Sequence, residues 1–151
     1  MNPSSDNAPE PLVLAETIDG VCTLMMNRGD RFNPLSRAMI AAFETELDRL
    51  AADKDARAVV LAANGRGFCA GHDLKELRAH PDVAWQRELF DACSRMMLKL
   101  TQLPQPVIAR VHGIATAAGC QLVSMCDLAV AADTVKFALP GVNVGVFCST
   151  P

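Results

Sequence analysis

Two short stretches of small residues carry the groups best suited to chemistry. Residues 66–75 read RGFCAGHDLK and residues 112–121 read HGIATAAGCQ. Small residues in a turn before a helix leave backbone N–H groups open to a bound molecule. If the two turns converge, the N–H groups of His72 and Ala118 would hold an oxygen that gains negative charge. From the residues alone, two ordinary helix starts packed through small residues are an equally good interpretation.

The side chains of these turns are weaker candidates. The imidazole of His72 could act as an acid or a base, although a lone histidine beside glycine is more often a packing or surface residue. Asp73 is expected to cap the following helix. Cys69 and Cys120 have no evident base nearby in sequence, so we interpret both as small buried thiols. Some cations could meet ligand phosphates or could equally be solvated: Arg28, Arg31, Arg66 and Lys75.

Alternating strands and helices must position the two turns. Each turn follows a β-branched apolar run, at residues 59–61 and 107–111, that is typical of a buried strand. Asp19-Gly20 between two strand-like runs predicts a hairpin. Helices are expected at about residues 35–52, capped by Ser36, and at about 83–103. This alternation predicts an α/β fold with parallel strand pairing.

The composition limits the class of protein. A chain of 151 residues with half of them apolar can build one core, with residues 1–11 as a flexible tail and residues 12–151 as the domain. The net charge of −3 argues against nucleic-acid binding. No apolar run reaches the roughly 18 residues of a membrane span, and residues 1–11 have no leader composition, which predicts a cytoplasmic location.

No metal site is expected, because the six cysteines lie in apolar runs without a CxxC pair. No serine stands in a GxSxG elbow, and no Walker or dinucleotide fingerprint occurs.

Three ordered motifs resemble those of the crotonase (enoyl-CoA hydratase/isomerase) superfamily. Residues 67–76 resemble its F-[CS]-A-G-x-D-L motif, and residues 106–127 resemble its second motif. Residues 27–36 resemble its N-R-P…R-x-N-A-L-[ST] loop, with Pro34 in place of the usual alanine. The resemblance implies a spiral of ββα turns, the ClpP/crotonase fold, that assembles at full length as a homotrimer or hexamer. It also implies that the C-terminal helical part is missing, and the apolar residues 144–151 likewise suggest a truncated chain.

The resemblance also implies a substrate and its site. The partner would be an acyl-CoA thioester, with coenzyme A as part of the substrate and no separate cofactor. Its carbonyl would accept hydrogen bonds from the N–H groups of His72 and Ala118. The residues expected to border the substrate are Arg31, Asn33, Pro34, Leu35, Ala70, His72, Asp73, Leu74, Lys75 and Ala118.

The resemblance leads to two functional hypotheses, because the sequence differs from the family pattern at two important positions. Hydratases of this family use two glutamates, and the matching positions here hold Gln121 and Gly141. General acid–base hydration needs a titratable group in reach of the substrate. The first hypothesis is therefore a lyase or isomerase of acyl-CoA (fatty acid) metabolism that stabilises an enolate. Its acid or base would be His72, Asp73, a polar residue such as Asn143 or Ser149, or a group in the missing C-terminal part. The alternative is a non-catalytic acyl-CoA-binding or assembly subunit.

Overall fold

A computed structural model describes residues 10–147 of the chain. A five-stranded sheet forms its centre, in the order β1 (Val13–Ile18), β2 (Val21–Met26), β3 (Ala58–Ala63), β4 (Val107–Val111) and β6 (Leu128–Ala131). The first pair is antiparallel and the other pairs are parallel. The predicted α/β class and parallel pairing are confirmed. Residues 1–9 of the expected tail, and Cys148 and Ser149, lie outside the described range.

The hairpin turn between β1 and β2 has the backbone geometry that its sequence predicts. Asp19 has φ of 51° and Gly20 has φ of 80°. Two consecutive positive φ angles make a type I′ turn, whose twist matches that of the flanking strands. The turn therefore fixes the register that pairs Val13 with Met26 and Ile18 with Val21.

Two long helices supply most of the rest of the core. The helix α1 (Arg37–Ala52) begins at Ser36, whose side chain accepts a hydrogen bond from the N–H of Met39 at 3.2 Å. The helix α3 (Val83–Gln102) begins at Asp82, whose carboxylate accepts from the N–H of Trp85 at 2.9 Å. Their buried faces carry Met39, Ile40, Phe43, Leu47 and Leu50 on α1, and Leu89, Cys93, Met96, Met97 and Leu100 on α3.

Short elements after β3 and β4 build the region of the two turns. The helix α2 (Leu74–Ala79) follows the first turn. After the second turn come the strand β5 (Ala115–Thr116) and the helix α4 (Ala118–Ser124). The strand β7 (Phe137–Ala138) pairs in parallel with β5, and a 3-10 helix, Pro140–Asn143, follows it. This second, two-stranded sheet was not predicted, because it joins residues far apart in the sequence.

The last strand of the main sheet lies open. All four residues of β6 are exposed, and Leu128 and Val130 each expose 65% of their surface. None of the helices within residues 10–147 is both long and apolar enough to cross a lipid bilayer.

Candidate active site

The first glycine-rich turn runs beside the second. The backbone N–H of Cys69 donates to the carbonyl of Ile114 at 3.2 Å, and the N–H of Thr116 donates back to the carbonyl of Cys69 at 2.9 Å. These bonds form a parallel bridge between Cys69 and Ala115. The strand β5 thus holds the first turn along one of its edges.

The other edge of the first turn pairs with the loop before α1. The N–H of Ala70 donates to the carbonyl of Phe32 at 2.9 Å, and the N–H of Leu35 donates to the carbonyl of Gly71 at 2.8 Å. Leu35 and His72 form a parallel bridge. In such a bridge the neighbours of His72 make the hydrogen bonds, so the N–H of His72 itself points away from Leu35.

The buried side chain of Asn33 stabilises that loop through hydrogen bonds to the backbone. That side chain is fully buried, and its Nδ2 donates to the carbonyls of Asn64, Gly67 and Phe68 at 2.9, 3.1 and 3.1 Å. Its Oδ1 accepts from the N–H of Arg28 at 2.8 Å. The contacts with Gly67 and Phe68 satisfy carbonyls that would otherwise be buried without this partner, and the contacts with Arg28 and Asn64 are part-buried.

Two members of the predicted substrate-binding set therefore have internal side chains. Asn33 and Leu35 are both 0% exposed, so neither side chain can border a ligand. Both residues therefore shape the loop from inside, and the family loop motif does not distinguish residues that shape the loop from residues that face the ligand.

Two glycines show how closely the turns approach each other. A Cβ atom added to Gly71, which has φ of +85°, would lie 2.9 Å from the Cβ of Ala117 and 3.1 Å from the backbone nitrogen of Ala118. A Cβ atom added to Gly119 would lie 2.3 Å from the carbonyl oxygen of Cys69. The expected convergence of the two turns is confirmed, and it depends on the absence of side chains at both positions.

The start of α4 is strained. Ala117 has φ of 50° and ψ of −126°, a conformation that favours glycine. Its N–H donates to the carbonyl of Ala138 at 2.8 Å, and its carbonyl accepts from the N–H groups of Cys120 and Gln121 at 3.0 and 3.1 Å. As the first helical residue, Ala118 has no acceptor within the helix for its own N–H.

A cavity of about 130 Å³ opens where the two turns meet. Its walls are mostly apolar. The lining residues are Ala70, His72, Leu74, Phe90, Ala117, Ala118, Gln121, Pro140, Gly141, Val144, Val146 and Phe147.

Gln121 and Gly141, where the family resemblance leads us to expect the glutamates, thus face the same space. Phe90, on α3, was not among the residues predicted for the site, because helical spacing alone does not show that its side chain reaches this cavity.

A more open groove of about 350 Å³ borders the cavity. It shares Ala70, His72 and Leu74 with the cavity. The other lining residues are Arg31, Pro34, Asp73 and Lys75. Nearly all of the predicted substrate-bordering residues therefore lie around one continuous depression.

Among the described residues that line the cavity, His72 is the titratable one. Its ring meets the ring of Phe90 edge to face, with the centroids 4.8 Å apart. Burial lowers the pKa of its imidazole from the ordinary 6.5, and the backbone of Leu35 opposes this more weakly. The imidazole of His72 is therefore neutral at pH 7, with one N–H donor and one acceptor nitrogen.

The other candidate side chains have structural roles. Oδ1 of Asp73 accepts from the N–H groups of Lys75 and Glu76 at 2.9 and 3.2 Å, which confirms the expected helix cap. Burial raises the pKa of the Cys69 thiol to about 12, so it is not a thiolate nucleophile at neutral pH. Arg66 lies over the ring of Phe32, with 5.5 Å between its Cζ and the ring centroid.

The other two histidines, His80 and His112, each have a contact partner. The ring of His80 stacks on Trp85 at 4.3 Å, and Nε2 of His112 lies 2.8 Å from the carbonyl oxygen of Gly65. Within residues 10–147, no three His, Cys, Asp or Glu side chains are grouped so as to hold a metal ion.

Comparison with known sequences identifies the family. The model of the family described as enoyl-CoA hydratase/isomerase matches residues 16–150. The chain belongs to this enoyl-CoA hydratase/isomerase family. The family resemblance of the three motifs is thereby confirmed.

Among curated proteins, the chain is similar to enoyl-CoA hydratase domain-containing protein 3. It is 43% identical over 151 residues to the Xenopus laevis protein, which covers 100% of this chain and 51% of the relative. It is 42% identical to the Homo sapiens protein over 146 residues, covering 97% of this chain and 48% of the relative. The chain thus spans about half the length of the curated relatives it matches.

Solved structures confirm the fold. An enoyl-CoA hydratase from Mycobacterium smegmatis superimposes with a TM-score of 0.90 and 58% identity, over 93% of this chain and 55% of that one. The predicted crotonase-like fold is therefore confirmed for the part of the family fold that this chain spans.

The prediction of a cytoplasmic location is wrong, because the comparisons contradict it. The relatives from frog, human and rat are all named as mitochondrial proteins. The prediction relied on the composition of residues 1–11, and the composition of so short a stretch does not specify a compartment.

Proposed function

We propose that the chain forms the thioester-binding half of an enzyme that acts on acyl-CoA and stabilises an enolate. The thioester carbonyl accepts hydrogen bonds from the N–H groups of His72 and Ala118. As a proton leaves the carbon next to the carbonyl, negative charge moves to the oxygen, and fixed donors stabilise that charge more than the ground state.

The close approach of Gly71 to Ala118 is the observation that supports this proposal. A Cβ atom on Gly71 would lie 3.1 Å from the nitrogen of Ala118, and His72 follows Gly71 directly. The N–H of His72 points away from Leu35, on the edge where Cys69 pairs with Ala115. Both donors thus border the same cavity, which is the arrangement that two hydrogen bonds to one oxygen require.

The groove supports binding of coenzyme A beside the cavity. Arg31 and Lys75 line the groove and can meet phosphate groups. The thioester end would then enter the cavity past Ala70 and Leu74, which border both spaces. We propose no separate cofactor, since coenzyme A is part of the substrate.

The reaction of this site differs from glutamate-assisted hydration in our proposal. Gln121 and Gly141 occupy the positions where the family resemblance expects carboxylates, and a glutamine side chain cannot accept a proton at neutral pH. Isomerisation, decarboxylation or thioester hydrolysis remain open to a site with an oxyanion hole and a different proton carrier.

A non-catalytic acyl-CoA-binding subunit is the second candidate. It is favoured by the lining of the cavity, which includes no Asp or Glu among the described residues. Either function is compatible with assembly of the full-length protein as a homotrimer or hexamer, which light scattering of that protein would test.

Calorimetric titration followed by a turnover screen separates these candidates. Butyryl-CoA and crotonyl-CoA should bind the chain more tightly than free coenzyme A, and a full-length protein that then converts any thioester is an enzyme. Tight binding without turnover of any thioester supports the subunit instead. If the thioesters bind no better than free coenzyme A, both candidates fail.

A further inference from the structure

One face of the main sheet lies away from α1 and α3. Side chains alternate between the two faces of a strand, and the register of the strand pairs shows which residues share a face. The face toward α1 and α3 belongs to the core and carries Leu24, Leu61 and Ala109, all 0% exposed. We call the other side the open face. Its residues are Leu14, Glu16 and Ile18 on β1, Val21, Thr23 and Met25 on β2, Ala58, Val60 and Ala62 on β3, Ile108 and Arg110 on β4, and Leu128 and Val130 on β6.

The open face is apolar and accessible. Ile18 exposes 61% of its surface, and Leu128 and Val130 each expose 65%. Its other large apolar residues are half-buried or exposed, namely Leu14, Val21, Met25, Val60 and Ile108. Parallel sheets normally have both faces covered, and a contiguous exposed apolar patch marks an interaction site. The open face is therefore a docking surface.

Two charged residues stand on the open face, and their charges have opposite signs. Glu16 lies on β1 and Arg110 lies on β4, and both are exposed. Neither forms an ion pair within residues 10–147. They are three strand spacings apart, about 14 Å, which is too far for a pair within one copy. A matching surface must offer a cation at one side and an anion at the other, and a second copy of the chain does so.

We propose that the open face binds the open face of a second copy of this chain and forms a two-fold dimer. A two-fold axis parallel to the strands, near the middle of the sheet, lays the β1 side of each copy over the β4 side of the other. Glu16 then meets Arg110 of the partner subunit, and the symmetry forms this ion pair twice. The register places the two residues one pleat repeat apart along the strands, about 7 Å, which an arginine side chain can span.

The apolar side chains of β2 and β3 fill the space between the two ion pairs. Face-to-face sheets pack about 10 Å apart, with the side chains of both inner faces interdigitated. Val60 and Met25 of each copy supply this centre. The reverse orientation, with β1 over β1, brings the two copies of Glu16 together, so the charges also select the orientation.

The size of the open face predicts a reversible dimer. Five strands about 4.8 Å apart and about five residues long cover roughly 24 Å by roughly 17 Å. That area, about 400 Å², is half of the roughly 800 Å² that each partner buries in a stable complex. We therefore expect a dissociation constant of about 10–100 µM, the range of a weak complex.

The test is sedimentation equilibrium of the whole chain over concentrations from about 2 µM to about 200 µM, which spans the expected dissociation constant. Glu16→Arg and Arg110→Glu each place like charges opposite one another, and each should weaken the dimer at least about tenfold. The double variant restores both pairs with the signs exchanged and should return to within about threefold of the unaltered chain. The control Arg87→Glu, at an exposed position of α3, should leave the dimer unchanged.

Methyl NMR of the unaltered chain keeps the test decisive if a variant does not fold. On dilution from dimer to monomer the methyl resonance of Met25 should shift, whereas that of Met96, which is 0% exposed in the core, should not. A monomer at every concentration, an assembly that neither charge reversal weakens, or open-ended growth through the edge of β6 would overturn the inference. Such a result would leave the proposed function standing, because none of the described residues that line the cavity belongs to the open face.

Discussion

Gly119 lies directly against the carbonyl group of Cys69, so closely that a Cβ at position 119 would stand 2.3 Å from that oxygen and 2.8 Å from its carbon. Gly119 lies in the first turn of α4. The carbonyl of Cys69 already accepts a hydrogen bond from the N–H of Thr116, which fixes its position. The contact joins the two turns that form the cavity.

Gly119→Ala should therefore destabilise the chain by about 3 kcal/mol, because neither backbone can yield without breaking the bridge. Denaturant unfolding measures the loss. The control is Gly145→Ala, whose Cβ meets no atom within 4 Å, so its cost is limited to the left-handed φ of +71°, about 1 kcal/mol. Equal losses in the two variants would show that the contact between the turns is looser than described.

The folded chain should be more stable with glycine than with alanine at position 117. The φ of 50° with ψ of −126° at Ala117 strains a residue with a Cβ atom, and relief of that strain outweighs the added freedom of the unfolded chain by about 1 kcal/mol. Ala41→Gly, in the exposed part of α1, should instead cost about 1 kcal/mol. Thermal or denaturant unfolding of both variants gives the signs; a loss of stability in Ala117→Gly would contradict the strain.

Asn33 should matter for stability far more than an exposed asparagine. Asn33→Ala leaves two buried carbonyls, one part-buried carbonyl and the N–H of Arg28 without their side-chain partner, which should cost roughly 2–4 kcal/mol. Asn64→Ala, which removes one exposed hydrogen bond to Asn27, should cost less than about 1 kcal/mol. Similar unfolding midpoints for the two variants would refute the internal role of Asn33.

The buried His72 should make stability depend on pH in a defined direction. Its pKa is lowered in the folded chain, so the unfolded chain binds its proton first as the pH falls below about 6.5. Stability from this group is complete above that pH and decreases below it. Urea unfolding at about pH 7.5 and about pH 5.5 should show a smaller loss on acidification in His72→Phe than in the unaltered chain. An identical loss in both would mean that the imidazole is not buried in its neutral form.

Local patterns predicted the elements that position the site. The hairpin at Asp19-Gly20 and the cap at Ser36 each depend on the residues next to them, so the sequence is sufficient. The cap at Asp73 is of the same kind. The family motifs added what local patterns cannot supply, namely that the two glycine-rich turns belong to one site.

Contacts between distant residues could not be predicted in the same way. Asn33 reaches carbonyls more than thirty residues away, and nothing in its neighbourhood distinguishes such a side chain from one that faces a ligand. The pairing of β5 with β7 and the position of Phe90 against His72 likewise depend on packing. The burial of the His72 imidazole follows from that packing, and only the three-dimensional arrangement shows it.

The two backbone donors are the central claim. We change the ligand to test them, because a substitution by proline, which removes a backbone N–H, would also alter the backbone of the turn. Calorimetric titration of the chain with butyryl-CoA and with S-butyl-CoA, a thioether that lacks only the carbonyl oxygen, tests them directly. We predict that the thioester binds at least about tenfold more tightly, the effect of two hydrogen bonds to one oxygen. Equal affinities would mean that the carbonyl does not lie between His72 and Ala118, and would contradict the account.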